Sequence, residues 1–507
     1  MSGGVAAERG RPPAPSSPVR HNIMSSHSVF SDIESDASLD VARVFADIVA
    51  RYFAETRNGD GHVSTRLAPD DLARRFDEPI PRGARGVAEV LQRIERDVIP
   101  DCNRLSHPRS MGHQVSAPLP IAVWTEALTA AVNQSGAVWE MSPVGTAIET
   151  QVVRWMCDLA GFGAAAGGTF TSGGTEATFA GLLAARQAAL PDVWRKGVGP
   201  NPPAVVCGEH AHYGVGRAIG ELGIGTDHAV VIPSTAFKMD VGALRRELDR
   251  LGREQRPVMA VVATAGTTAT GSFDDLDAVG RLCEERGLWL HVDGAHGASA
   301  LFSPAHRHRL AGIHRARSIA WDPHKLMLMP LTASVVLVRE EADLEAAFSQ
   351  RAPYLFHGTA AARTWDQGLR SFTCSRRIDA FKVWVALQRH GADGFGALYE
   401  HLCANARLMH AAVVAHPDFA AIHEPESNIL CFRYVGGRAM GDDDRDALNL
   451  RLREDYNRAG TGWITTTVLG GRRVLRVTLM NPRTTGKDLE RTLDDLAAIG
   501  RGQSRSG

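Results

Sequence analysis

The chain has 507 residues, 44% hydrophobic and 22% charged, with a formal net charge of -1. That length supports a large domain with a sizeable core plus at least one smaller one, and so neutral a balance argues against a nucleic-acid or membrane-surface protein, which needs a basic face. No apolar run approaches the roughly 20 residues of a membrane span. Seven scattered cysteines without a C-x-x-C pair suggest neither a disulfide framework nor a zinc site, and fit a reducing cytoplasm.

The first 36 residues, rich in Gly, Pro, Ser and Arg, have no apolar h-region and read as a disordered tail; Met24 is an alternative start. Residues 37–115 read as a helical arm. Val41, Val44, Phe45, Ile48, Val49 and Tyr52 recur at helical spacing, and a second helical stretch, Val87 to Ile99, ends at Pro100. Residues 116–375 alternate short apolar runs with amphipathic helices. The expected strands are Ala204–Cys207, Ala229–Ile232, Val258–Thr264, Leu288–Val292, Ser318–Trp321 and Ala333–Val338, and the helices between them include Glu176–Ala189 and Leu276–Arg286. This alternation predicts an α/β fold with a mostly parallel sheet and helices on both faces. Residues 376–500 change to a long helix, hairpin-like pieces at Asn428–Tyr434 and Val474–Leu479, and a helix Lys487–Ile499. They read as a small α+β domain, with 501–507 as a tail.

In such sheets ligands bind beyond the carboxyl ends of the strands, so chemistry is sought there. Three features qualify. In GTFTSGGTEATFAG, Ser172, Gly173, Gly174 and Thr175 open a helix whose free N–H groups make an anion cradle, or else form a plain glycine-rich N-cap. In LHVDGAHGAS, Asp293 follows a buried strand, where a carboxylate needs a cationic or N–H partner; a helix cap is the ordinary alternative. In SIAWDPHKLMLMP, Lys325 precedes the apolar run Leu326 to Met329, and a desolvated lysine forms an imine with an aldehyde. An anion cradle, then an acid, then a desolvated lysine is the order pyridoxal phosphate requires. The cofactor needs a phosphate site, a carboxylate on its ring nitrogen and an amine for its aldehyde.

The motifs HPRSMGHQVS, TSGGTEAT, EHAHYG, ATAGTTATGSFDDL, LHVDGAHG, SIAWDPHKLM, TCSRRIDAFKVW and VLRVTLMNP, in this order, resemble the group II pyridoxal-phosphate decarboxylases. That is the family of glutamate, cysteine-sulfinate and aromatic amino acid decarboxylases. The resemblance spans about His107 to Ile499. It implies a fold-type I architecture with a seven-stranded-type sheet and a homodimer with shared active sites. Lys325 would be the Schiff-base lysine and Asp293 the partner of the pyridine nitrogen, with His212 stacked on one ring face and Ala295 on the other. Gly173, Gly174, Thr175 and His324 would bind or border the phosphate, and Thr268 would lie beside the ring. Arg476 would hold a substrate carboxylate, and Gln114 and Ser116 would line the substrate pocket from the neighbouring subunit.

Two departures stand out. Gly214 follows the stacking histidine where many relatives carry a hydroxyl. Between Leu355 and Arg376 the chain has no tyrosine where relatives place one that protonates the substrate carbon; Ala362 falls there, and His357 is the replacement donor expected on chemical grounds. The expected activity is therefore decarboxylation of an L-amino acid to an amine, with oxidative release of an aldehyde, or another reaction of the same cofactor, as the alternative. A non-catalytic regulator would need a DNA-binding module that the N-terminal arm has no room for. His306 and His308 in HRHRL lack the spacing of a helical metal pair and read as a solvated face. Arg376 and Arg377 read equally as anion ligands or as partners of helix carboxylates.

Overall fold

The computed structural model describes residues 1, 26–348, 352, 356, 365–437 and 439–506. They form two compact units, Met1–Ala54 with Ala73–Pro100, and Glu55–Leu72 with Asp101–Gly507. In the first unit a helix occupies Ser26–Asp36, inside the segment expected to be a tail. The stretch expected to be one helix to Ile99 is α-helical only over Val87–Arg93. It then widens to a π-turn at Ile94–Val98 and tightens to a 3-10 turn at Ile99–Asp101, where Pro100 supplies no N–H to continue the ladder.

The second unit is built on a seven-stranded sheet. Its strands are β1 (Gly167–Thr171), β2 (Ala204–Gly208), β3 (Ala229–Ile232), β4 (Val258–Thr264), β5 (Trp289–Asp293), β6 (Ser318–Trp321) and β7 (Ser334–Val338), in the order β1-β7-β6-β5-β4-β2-β3. Strands β2 to β6 are parallel, and β7 runs against both its neighbours, β1 and β6. This is the mostly parallel sheet expected. The expected strands pair as read, within a residue or so at their ends, and β1 is an addition. Its sequence, GGTFT, offers one apolar residue and two glycines, so composition gave no strand signal, yet every residue in it is buried. Strands β4 to β7 are near-continuous apolar runs because helices cover both faces of the sheet.

A second, four-stranded antiparallel sheet contains β8 (Phe419–Ala421), β9 (Ile429–Tyr434), β10 (Thr465–Leu469) and β11 (Arg472–Thr478), in the order β8-β9-β11-β10. The helix Ala380–Ala415 precedes it, broken at Gly391, whose φ of 69° is left-handed. The closing helix runs from Gly486 to Ser506, through the residues expected to be a tail. The HPRSMGHQVS segment threads beside this sheet. Met111 donates its N–H to the Trp463 carbonyl and accepts from the Thr478 N–H at 2.9 Å, which carries the chain toward the large sheet.

Candidate active site

The parallel register aligns the carboxyl ends of the central strands. Thr264 ends β4 opposite Asp293, and Asp293 ends β5 opposite Ala320 of β6. Asp293 is thus the last residue of its strand rather than the first beyond it. A cavity of about 190 Å³ opens over these ends, lined by Gly174, Thr175, His212, Thr264, Gly266, Thr268, Asp293, Ala295, His296, Asp322, His324 and Lys325.

One wall is the start of the helix Gly174–Ala189. A Cβ on Gly174 would stand 2.7 Å from Asp322 Oδ2 and 3.1 Å from the Ala295 Cβ, so only glycine lets the helix start this close to the cavity floor. Gly173 is not among the lining residues, its φ of 166° is ordinary extended backbone, and a Cβ there would meet nothing within 4 Å. The Ser172 N–H and hydroxyl are taken by Glu176, so Ser172 gives nothing to the cavity.

Asp293 is 8% exposed and accepts from the Ala295 N–H at 3.2 Å. Burial pushes its carboxyl up, against the pull of Lys325 and His212. A carboxylate buried this way, with no direct ion pair among the described residues, favours a cation arriving in the cavity. His212 caps the helix Tyr213–Glu221, its Nδ1 accepting from the Gly214 N–H at 3.1 Å. The ring is therefore the Nε2–H tautomer when neutral, and burial holds its pKa below the usual value. Gly214 explains itself here. A Cβ at that position would stand 2.9 Å from His212 Nδ1 and 3.3 Å from Thr175 Oγ1, so the side chain many relatives carry does not fit this histidine position.

Lys325 lies after β6, its Nζ 3.0 Å from Asp322 Oδ2. Leu326, Met327, Leu328 and Met329 are all core residues, which desolvates the loop that carries it. Ser116 donates its hydroxyl to the His324 carbonyl of the same chain at 2.9 Å. The half-buried Gln114 has an Nε2 with no hydrogen-bond partner among the described residues. Arg476, on β11, donates to the carbonyls of Thr268 (2.6 Å), Ala269 (3.1 Å) and Gly112 (3.4 Å). His357 and Ala362 lie outside the described residues.

Four lining residues, Thr264, Gly266, His296 and Asp322, were not singled out from sequence. Asp322 directly follows the apolar strand β6, so the argument applied to Asp293, an acid after a buried strand, would have found it. His296 donates from Nε2 to Asn428 Oδ1 at 2.7 Å, and burial pushes it down to about 3. Elsewhere, Arg376 pairs with the buried Glu149 at 2.5 Å and Arg377 with Glu126, which makes both of them partners of helix carboxylates. His306, expected on a solvated face, is buried with its ring 5.4 Å from Tyr399.

Residues 69–435 match the model of the pyridoxal-dependent decarboxylase conserved domain. The chain belongs to this family. Over 504 residues it is 33% identical to an L-2,4-diaminobutyrate decarboxylase of Rhizobium meliloti, covering 99% of this chain and 98% of that one. It is 29% identical over 469 residues to the cysteine sulfinic acid decarboxylase of Rattus norvegicus, covering 90% and 95%. Mouse CSAD superposes with a TM-score of 0.86 at 26% identity, covering 95% of this chain and 99% of that structure. The decarboxylase is a pyridoxal-phosphate-dependent carboxy-lyase of fold type I acting on an amino acid. Its cavity suits the cofactor in its own right, with an anion-accepting helix start, a buried acid and an amine around one space.

Proposed function

We propose that this decarboxylase removes the α-carboxylate of an L-amino acid with a short, charged side chain and releases the amine. The observation that carries the reading is the convergence of Lys325, Asp293 and His212 on one buried cavity at the strand ends. Lys325 would hold the cofactor through its aldehyde, Asp293 would keep its ring nitrogen protonated, and His212 and Ala295 would pack against the ring. Gly174, Thr175 and His324 would hold the phosphate end, with Gly173 setting the turn before them, and Thr268 would border the ring. The bound cofactor supplies the electron sink that lets the bond to the carboxylate break.

Arg476 has five N–H groups and gives three to backbone carbonyls, leaving two for a substrate carboxylate. Gln114 offers its unpartnered amide on the substrate side. A short charged side chain is supported by the two relatives above, whose named substrates are of that kind.

The enzyme acts as a homodimer. Trp124, Leu128 and Val132 lie at i, i+4 and i+8 on the helix Pro120–Val132 and are 42%, 51% and 53% exposed, with Trp139, Met141 and Val144 also uncovered. A stripe of large apolar side chains at helical spacing suits a second copy better than water. CO2 release across a panel of L-amino acids tests the reading. Turnover of diaminobutyrate, aspartate, glutamate or cysteine sulfinate above the aromatic substrates is expected, and preference for an aromatic substrate contradicts it. An alternative, aldehyde release, is favoured by one observation, the absence of tyrosine between Leu355 and Arg376.

A further inference from the structure

Asp322 is the most enclosed acid of the cavity, at 1% exposure, and its position poses an electrostatic problem. Its Oδ2 lies 2.7 Å from where a Gly174 Cβ would stand, close against the helix start that is to receive a phosphate. An unneutralised carboxylate there repels the anion the site is built for. Three groups act on it. Ser334 Oγ donates to Oδ1, Lys325 Nζ stands 3.0 Å from Oδ2, and His324 Nε2 stands 3.5 Å from the same oxygen. The serine leaves the charge in place, so neutralisation falls to the lysine and the histidine.

The lysine cannot serve in both states. When its nitrogen bonds to the cofactor's carbonyl carbon, two of the three ammonium hydrogens leave with the carbonyl oxygen as water. The nitrogen is then tethered to the ring and no longer free to sit on Asp322. His324 is built to take over. Its Nδ1 stands 2.7 Å from the Ala333 carbonyl and 3.3 Å from the Ala333 N–H, and its Nε2 stands 3.5 Å from the Asp322 oxygen. The carbonyl contact is the shorter of the two at Nδ1, which favours a proton there, and a second proton on Nε2 turns that nitrogen from an acceptor aimed at a carboxylate into a donor toward it. Without the cofactor, burial foremost holds the His324 pKa down; Asp322 raises it, while Lys325 and the more distant Lys382 lower it.

We propose that Asp322 is a positioning residue neutralised by Lys325 in the empty site and by a protonated His324 once the cofactor is bound. His324 thereby presents a cation rather than a neutral ring at the phosphate end. The proposal rests on Lys325 as the cofactor lysine, and borohydride fixation of the cofactor on its peptide checks that premise independently.

The test is a double-mutant cycle read on cofactor affinity, by equilibrium titration of full-length protein with pyridoxal phosphate. His324→Gln is expected to raise Kd roughly tenfold or more, because it leaves the carboxylate bare beside the phosphate. Adding Asp322→Asn to it should restore binding to within about threefold of Asp322→Asn alone, coupling of the size contacting residues show. Rescue of one loss by a second lesion is not what two structural defects produce. Additive losses, or a His324→Gln protein that binds as wild type, overturn the proposal while leaving Lys325 fixation untouched. Should His324→Gln not fold, the pH dependence of Kd is compared between wild type and Asp322→Asn. Wild type is expected to lose affinity several-fold more than Asp322→Asn as the pH rises and His324 gives up its proton, and parallel profiles overturn the proposal.

Discussion

The guanidinium of Arg476 donates to the Thr268 carbonyl at 2.6 Å, tying the antiparallel sheet to a loop that borders the cavity. Arg476 is 4% exposed, so its carbonyl partners lose their donors if it is truncated. Arg476→Ala is expected to raise KM about tenfold or more, as a lost charge-assisted carboxylate contact of about 1.5–3 kcal/mol implies. It should also lower thermal stability, because buried carbonyls are left unpaired. A fall in stability with KM unchanged would confine Arg476 to the loop anchor.

Burial of His291 makes the protein sensitive to acid. Trp289 Nε1 donates to Ser318 Oγ at 2.8 Å, the same oxygen lies 2.8 Å from His291 Nδ1, and complete burial pushes this histidine down to about 3. The unfolded chain takes up a proton here near the ordinary histidine value of 6.5, and the native state does not until about 3. Stability from this group is therefore full above pH 6.5 and lost as pH falls toward 3, by about 1.4 kcal/mol per pH unit. Denaturant unfolding at pH 7, 6 and 5 should show His291→Gln less stable at pH 7 but with a shallower acid slope. An equal slope in the two proteins would mean that His291 titrates normally.

Trp124→Asp should weaken the proposed homodimer without unfolding the subunit, since the side chain is 42% exposed in the isolated chain. Sedimentation velocity over a concentration series reads the shift toward monomer. A wild-type protein that is monomeric at every concentration would leave the apolar stripe of Pro120–Val132 with some other role.

In the proposed reaction, the substrate carbon needs a proton after CO2 leaves, and the sequence between Leu355 and Arg376 holds no tyrosine to give it. With a positioned acid normally worth about 10²–10⁴-fold, its absence should show in product ratios. Amine is expected as the main product with a measurable flux to aldehyde, and His357→Phe should shift products further toward aldehyde or pyridoxamine phosphate. Amine, aldehyde and peroxide are assayed together. Clean amine from His357→Phe removes His357 from the account, and stoichiometric peroxide from wild type makes oxidative aldehyde release the main reaction.

Much of this site was legible because its residues sit at the ends of strands that apolar runs announce. Asp293 follows Leu290 and Val292, and Lys325 comes a short turn after Ile319 and Trp321. What stayed hidden depends on partners far away in the chain. Nothing local says that Ser116 meets His324, 208 positions later, or that Arg476 spends three N–H groups on backbone. β1 was invisible because two glycines and two threonines carry no apolar alternation, and its place comes from pairing with β7. His306 looked solvated among arginines, yet it packs on a tyrosine that sequence could not bring near it.

The measurement that bears most directly on the account is borohydride reduction of the enzyme purified with its cofactor, followed by peptide mass mapping. The account predicts one phosphopyridoxyl group per chain, on the peptide containing Lys325, and none in Lys325→Ala. Label on another lysine, or a Lys325→Ala protein that releases CO2 at the wild-type rate, would contradict it.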